Sequence, residues 1–151
     1  MNVVEQNGKI RLCIDPVDLN EHIKRRHHPL QTFEMVKARL GGSQYYRKFD
    51  CSKGFWQIKL AEKSQLLTTF ATPWGGFCFT RMPFGIKTAP EIYQQLMEEI
   101  TAGLEGVAVS ADDILVFAKT VKELDCFTEK LLDSLLKRGI RLNREKCVVD
   151  A

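Results

Sequence analysis

The sequence predicts an α+β fold in which helices lie on one face of an antiparallel sheet. Three observations predict it. Apolar and polar residues alternate with period two in several short segments, the mark of half-buried strands. Two longer stretches carry apolar residues three and four apart, each behind a helix-capping signal. From Gln44 onward the order is strand, hairpin insertion, helix, strand hairpin, helix, strand, which is an α+β order rather than a repeated βαβ order.

Composition fits one soluble domain spanning residues 1–151. Hydrophobic residues make up 44% and charged residues 27%, enough for a core under a charged surface. The net charge of +3 permits a polyanionic partner without requiring one. No apolar run approaches the roughly 20 residues of a membrane span, and residues 1–8 lack the pattern of a signal peptide. Cys13, Cys51, Cys78, Cys126 and Cys147 are scattered and odd in number, with no Cys-x-x-Cys pair. They support neither a zinc ribbon nor a disulfide framework, and reduced intracellular thiols are the default.

Lys9 to Asp15 alternates basic and apolar residues and predicts a strand with Ile10, Leu12 and Ile14 inward; Asp15-Pro16 ends it. The polar run beyond Asp18 is strongly basic from Lys24 to His28. It reads either as a solvated loop or as a phosphate-backbone contact. His27 and His28 lack partners at metal-ligand spacing. Pro29 and Thr32 open a helix over Phe33–Leu40, and Gly41-Gly42 stop it. Gln44 to Asp50 is the next strand, ending in an acid. Asp50 to Gly54 breaks the pattern, after which Trp56, Ile58 and Leu60 alternate with Gln57 and Lys59. A strand over Leu67–Ala71, a turn at Pro73–Gly76 and a returning strand over Phe77–Arg81 form a hairpin, with Met82–Gly85 as a loop.

Thr88-Ala-Pro-Glu91 is a capping box with proline in the first turn. The helix it starts runs to about Leu104, with Ile92, Leu96 and Ile100 at four-residue spacing and Tyr93 and Met97 beside them. Thr120-Val-Lys-Glu123 is a second box. Its helix places Leu124, Phe127, Leu131 and Leu135 on one face and stops at Gly139; Ile140–Asn143 is a last short strand.

Between those helices lies Val107–Phe117, two apolar strands with Asp112 and Asp113 in or beside the turn that joins them. In isolation such a pair fits a surface turn, where aspartate is common. Carboxylates at the tip of a buried hairpin are otherwise costly unless neutralised, and for oxygen ligands the usual neutraliser is Mg²⁺ or Mn²⁺. Asp50 ends a strand of the same sheet. If the strands are neighbours, three carboxylates converge at one sheet edge. Three carboxylates around two cations ~3.5–4 Å apart is the recurring arrangement for phosphoryl transfer on nucleotides.

Taken together, these blocks resemble the fingers and palm of a reverse transcriptase from a gypsy-type LTR retrotransposon pol polyprotein. Lys9–Asn20 resembles the family's fingers strand. Phe49-Asp50 with Ser52–Ile58 resembles its first metal motif. Thr68–Phe70, Thr72–Gly75 and Phe79–Pro90 match its middle blocks, Asp112–Phe117 its second metal motif, and Gly139–Cys147 the block after the last palm helix. The resemblance covers nearly all of residues 8–147, in order and at family spacing. It implies a ferredoxin-like polymerase palm plus partial fingers. It also implies RNA-directed DNA polymerase activity, adding dNTP to a DNA or RNA primer on an RNA or DNA template with two Mg²⁺ or Mn²⁺ ions.

Roles carried over residue by residue make Asp50, Asp112 and Asp113 the metal ligands. Arg11 would lie along the dNTP triphosphate, Phe55 would be the steric gate against a 2′-OH, and Phe84 and Gly85 would shape the dNTP floor. Lys146 would be the proton donor to pyrophosphate. Each has an ordinary structural alternative. Arg11 suits an exposed strand, Phe55 and Phe84 a core, and Lys146 a surface. The family's second metal motif is usually Tyr-x-Asp-Asp, and here Ser110 holds the Tyr position. The motifs run to Lys146, so no segment is expected for a thumb or RNase H. In the family these and integrase are linked in one polyprotein, in the cytoplasm or a virus-like particle. Ser110 and the missing thumb carry the alternative, an inactive retroelement remnant that at most binds nucleic acid or a partner. The fingers strand and the Met82–Gly85 block argue against other two-metal palm enzymes.

Overall fold

The computed structural model describes residues 2–6, 9–25, 28, 33–110 and 113–149. It divides into two compact units, Met1–His27 with Phe55–Glu91, and His28–Gly54 with Ile92–Ala151. Among the described residues no helix is long and apolar enough to cross a membrane.

In the first unit β1 (Asn2–Gln6) pairs antiparallel with β2 (Lys9–Cys13), from Asn2↔Cys13 to Gln6↔Lys9. The sequence reading found β2 and missed β1. A short helix α1 (Val17–His22) follows where only a polar run was expected. It buries no residue fully; Asn20 holds it in place by donating to Gly85 O at 2.8 Å and accepting from Lys87 N at 2.9 Å. Ile14, Met82, Ile86 and Ala89 form the buried core of this unit, with Leu19, Ile23, Phe55, Ile58, Leu60 and Phe79 packed around it.

The predicted alternation over Phe55–Leu60 does not become a regular strand. Lys53 and Gly54 adopt positive φ (58° and 29°), and residues Gly54–Gln57 close into a 3₁₀ turn. Only its end pairs: Leu60 N donates to Thr80 O and Met82 N to Ile58 O. The predicted strand over Leu67–Ala71 is also displaced. Residues Glu62–Gln65 form a one-turn helix α3, and Leu66–Thr68 a 3₁₀ turn in which Thr68 Oγ1 donates to Gln65 O at 2.6 Å. A threonine hydroxyl that takes a nearby carbonyl competes with the strand ladder. The hairpin is therefore shorter than predicted, β4 (Phe70–Thr72) against β5 (Gly75–Phe77) with Pro73 and Trp74 at its tip.

In the second unit β3 (Tyr45–Asp50), β6 (Val107–Ser110) and β7 (Asp113–Ala118) form an antiparallel sheet in the order β3-β7-β6. Directly opposed residues share a face. Phe49, Ile114, Val116, Val107 and Val109 lie on one face and are buried. Helix α5 (Val121–Lys137) covers that face with Leu124, Thr128, Leu131 and Leu135 inward. Arg47 pins it there: Nη1 donates to Thr128 Oγ1, Nη2 pairs with Asp125 at 2.7 Å, and Nε donates to Val149 O. The opposite face presents Ala108, Leu115, Phe117 and Tyr46 to Val36 of α2 (Phe33–Arg39) and to Leu40. The predicted strand at Ile140–Asn143 is irregular, but the chain from Arg141 to Val149 lies along the outer edge of β3. Lys48 and Val148 exchange two backbone hydrogen bonds, at 2.9 and 2.8 Å, and Asn143 N donates to Asp50 O.

Helix α4 (Ala89–Thr101) stops three residues short of the expected end. Thr101 Oγ1 returns to Met97 O, and Gly103 turns the chain with φ 77°. Its buried residues Tyr93, Met97 and Ile100 all belong to the predicted stripe, whereas Ile92 at the edge of that stripe is 39% exposed. Gln94 is buried beside them and donates to Glu98 Oε1 at 2.8 Å. The Thr120 capping box forms as predicted, with Glu123 N donating to Thr120 Oγ1 and Thr120 N to Glu123 Oε2.

Two stability changes follow. Thr120→Ala removes a hydroxyl that accepts an otherwise orphaned helix N–H, and is expected to cost about 1 kcal/mol in urea unfolding. Gly106 has φ 65°, and a Cβ there would meet Phe127 Cδ2 at 2.3 Å and Phe117 O at 2.5 Å. Gly106→Ala is expected to cost roughly 2–4 kcal/mol by strain and overpacking, read as a lowered melting temperature.

Candidate active site

The register of β3 against β7 assembles the acidic part of the site. Asp50, last in β3, stands opposite Asp113, first in β7, and Ser110 of β6 stands opposite Asp113 on its other side. Asp113 therefore begins a strand of this hairpin; Ala111 and Asp112 lie outside the described residues. Two carboxylates on neighbouring strands repel and need counter-charge. Both have it. Lys48 Nζ lies 2.7 Å from Asp113 Oδ2, and Lys146 Nζ lies 3.4 Å from Asp50 Oδ2.

Lys146 comes from the distant end of the chain, in a 3₁₀ turn (Arg144–Lys146) held against β3 by the Asn143 and Val148 backbone bonds. Lys48 follows from strand alternation, since it precedes Asp50 by two residues and shares its face. The hydrogen bond to Asp113 raises the Lys48 pKa above its ordinary value; burial opposes this, and the charges of Asp113 and Asp50 add to it. A raised lysine pKa means that the pair stabilises the fold fully below the ordinary value near 10.4. That contribution is lost as pH rises through the folded value.

The donor set fits a hard divalent cation. Its ligands are carboxylate oxygens, and each carboxylate already draws a positive charge. The described residues include no group of three ligating side chains, and the third predicted ligand, Asp112, is outside them.

The nucleotide-facing residues predicted from the resemblance fall in the first unit. Arg11 is in β2, its backbone opposite Val4; its side chain is not among those described. Phe55 and Phe84 meet with ring centroids 5.2 Å apart at 46°, and Phe55 is half-buried against the Ile14 core. Gly85 has φ 109°, and a Cβ there would stand 2.0 Å from Ile14 O, so no side chain fits without moving the backbone. The Phe84–Gly85 loop is fixed by Ile14 N donating to Phe84 O at 3.1 Å and by Asn20 donating to Gly85 O.

The structure thus brings Asp50, Asp113 and Lys146 together in one unit and Phe55, Phe84 and Gly85 together in the other. Sequence reasoning passed over Lys48 and Asn20. Strand alternation was a signal for Lys48; nothing local marked Asn20. Within the basic run Arg25 pairs with Glu91 at 2.7 Å, and His28 Nε2 lies 2.7 Å from Glu98 Oε2; Arg26 and His27 lie outside the described residues.

This arrangement has known relatives. Residues 4–150 match the family model described as reverse transcriptase (RNA-dependent DNA polymerase). The enzymatic polyprotein of Figwort mosaic virus (strain DxS) is 35% identical over 144 residues, covering 93% of this chain and 21% of the relative. The retrovirus-related Pol polyprotein from transposon 297 of Drosophila melanogaster is 32% identical over 142 residues, covering 93% of this chain and 13% of the relative. Among solved structures, the foamy viral protease-reverse transcriptase in complex with ds DNA superimposes with a TM-score of 0.88 at 26% identity, over 97% of this chain and 26% of that one. The chain therefore spans about a quarter or less of the length of each of these three proteins. With a family match over nearly its whole length, the chain belongs to the reverse transcriptase (RNA-dependent DNA polymerase) family.

Proposed function

We propose that residues 1–151 form one reverse transcriptase domain, part of the fingers with the palm, from a pol polyprotein of a gypsy-type LTR retrotransposon. Its reaction is the addition of dNTP to a DNA or RNA primer 3′-OH on an RNA or DNA template. The observation that carries this reading is the opposition of Asp50 and Asp113 on neighbouring strands, with Lys146 against Asp50. Family membership over residues 4–150 supports it. In the polyprotein the domain is joined to thumb, RNase H and integrase segments, and it works in the cytoplasm or a virus-like particle.

Reverse transcriptases generally work with divalent metal ions. Here Asp50, Asp112 and Asp113 would hold two Mg²⁺ or Mn²⁺ ions. When bound, they would supply Lewis-acid chemistry to the primer hydroxyl and the leaving pyrophosphate. The remaining work falls to the chain's own side chains. Arg11 is assigned to the triphosphate, whose oxygens suit the forked donors of a guanidinium. Phe55 sets a flat ring beneath the sugar and leaves no room for a 2′-OH. Phe84 and Gly85 form the floor, and the absent Cβ at Gly85 keeps it open. Lys146 holds a proton at Nζ for the pyrophosphate oxygen. Ser110, in place of tyrosine, reduces the ring contact near the primer terminus by on the order of a few kcal/mol.

Primer extension on poly(rA)·oligo(dT) with Mg²⁺ or Mn²⁺ tests the reading. Asp50→Ala and Asp112→Ala are each expected to lower extension ~100-fold or more; activity unchanged in Asp112→Ala would sink the site assignment. Phe55→Ala is expected to raise ribonucleotide incorporation relative to deoxynucleotide by about tenfold or more. Unchanged selectivity, with the variant still folded, would return Phe55 to the core.

A further inference from the structure

Lys48 is the one charged side chain that shares both the strand and the face of Asp50 while touching the other described carboxylate. Its backbone is fixed on both sides. Leu115 of β7 stands opposite it in register, and on the other edge Val148 exchanges two hydrogen bonds with it. The ammonium therefore cannot leave the neighbourhood by strand movement; only its side chain can swing. It lies 2.7 Å from Asp113 Oδ2, and both partners are open to solvent, with the lysine side chain 45% and the aspartate side chain 42% exposed. Water and dissolved ions can thus reach both.

We propose that Lys48 is a tethered counter-ion that competes with the divalent cation for Asp113 and so sets the cation concentration the site requires. The proposal rests on the reading of Asp50 and Asp113 as cation ligands. Two physical effects act in the same direction. The ammonium occupies a carboxylate oxygen that the cation would otherwise use, and a fixed positive charge beside a divalent ion repels it. Without a cation, Lys48 relieves the repulsion between Asp50 and Asp113. With one, the side chain must swing aside, which its exposure and four-carbon stem allow. Lys146 differs in that it faces Asp50 from a separate segment and at the longer distance of 3.4 Å. Lys48 is thus a positioning residue for Asp113, acting on when that carboxylate becomes available.

The test is Mn²⁺ binding to the 151-residue chain, read from the free-ion EPR signal at low ionic strength, with a melting curve to show that each variant is folded. Lys48→Met is expected to tighten Mn²⁺ binding about threefold to fivefold, the upper range of what an exposed ion pair holds. The gap should narrow in 0.5 M KCl, where exposed charges are screened. Lys48→Arg keeps the charge and the contact and should bind as wild type. In an Asp113→Asn background the tightening should shrink to less than half, because the contested oxygen is no longer charged and only the repulsion by the ammonium remains. Unchanged or weaker binding in folded Lys48→Met overturns the proposal. So does a tightening of the same size in the Asp113→Asn background, which would make Lys48 a distant charge only. Asp50→Asn separates this from the underlying reading. If it binds Mn²⁺ as wild type does, the cation site itself is wrongly placed and the role of Lys48 falls with it; if binding weakens there, the Lys48→Met result judges Lys48 alone.

Discussion

The register of β3 against β7 is the constraint on which the acidic site depends. Strand β7 is apolar on both faces, so each face of the sheet has a defined partner: α5 on the side of Ile114 and Val116, and Val36 with Leu40 on the side of Leu115 and Phe117. A slip of one residue would turn every side chain to the wrong face. Val116, fully buried under α5, would change places with Phe117, and Asp113 would be driven toward the leucines of α5. Burying an unpaired carboxylate costs several kcal/mol. The hydrophobic pattern of the whole sheet thus fixes where the two aspartates meet, although neither contributes to that pattern.

Arg47 extends this control to the far end of the chain. One guanidinium reaches Thr128 and Asp125 on α5 and Val149 beyond it. The same segment carries Lys146 to Asp50. The position of Lys146 is therefore inherited from backbone pairing along β3 rather than from its own weak, exposed ion pair, since such pairs hold at most about 1 kcal/mol.

Legibility followed the physics of each element. The pairing of β6 with β7, the strand β3 and the helix α5 were readable because periodicity, capping and length agreed. Arg11, Phe55, Phe84, Gly85 and Lys146 were picked out by resemblance, since nothing in their local pattern separates them from core or surface residues. What was not readable had competing local chemistry. Thr68 bonds back to Gln65 and ends a strand that hydropathy favoured, leaving Leu66 and Leu67 exposed. Positive φ at Lys53 and Gly54 breaks the alternation before Phe55. Gln94, polar yet buried, is accommodated in α4 because its amide finds Glu98 one turn on. Asn20 has meaning only through Gly85 and Lys87, more than sixty residues away. Lys48 was within reach of alternation, but one strand alone does not reveal which acid its ammonium meets.

The pairing of residues 141–149 along β3 has a consequence for behaviour in solution. An open strand edge offers unpaired amides and carbonyls to other molecules and is a common origin of aggregation. Here Arg141, Asn143 and Val148 occupy that edge, and at the opposite side of the sheet Arg39 Nη2 donates to Val107 O of β6. Irregular chain suits the first task better than a long regular strand would, because it satisfies β3 without presenting a new ladder of its own. Residues 141–149 thus leave the amide and carbonyl of Lys48 and the carbonyl of Asp50 already engaged on the edge of β3.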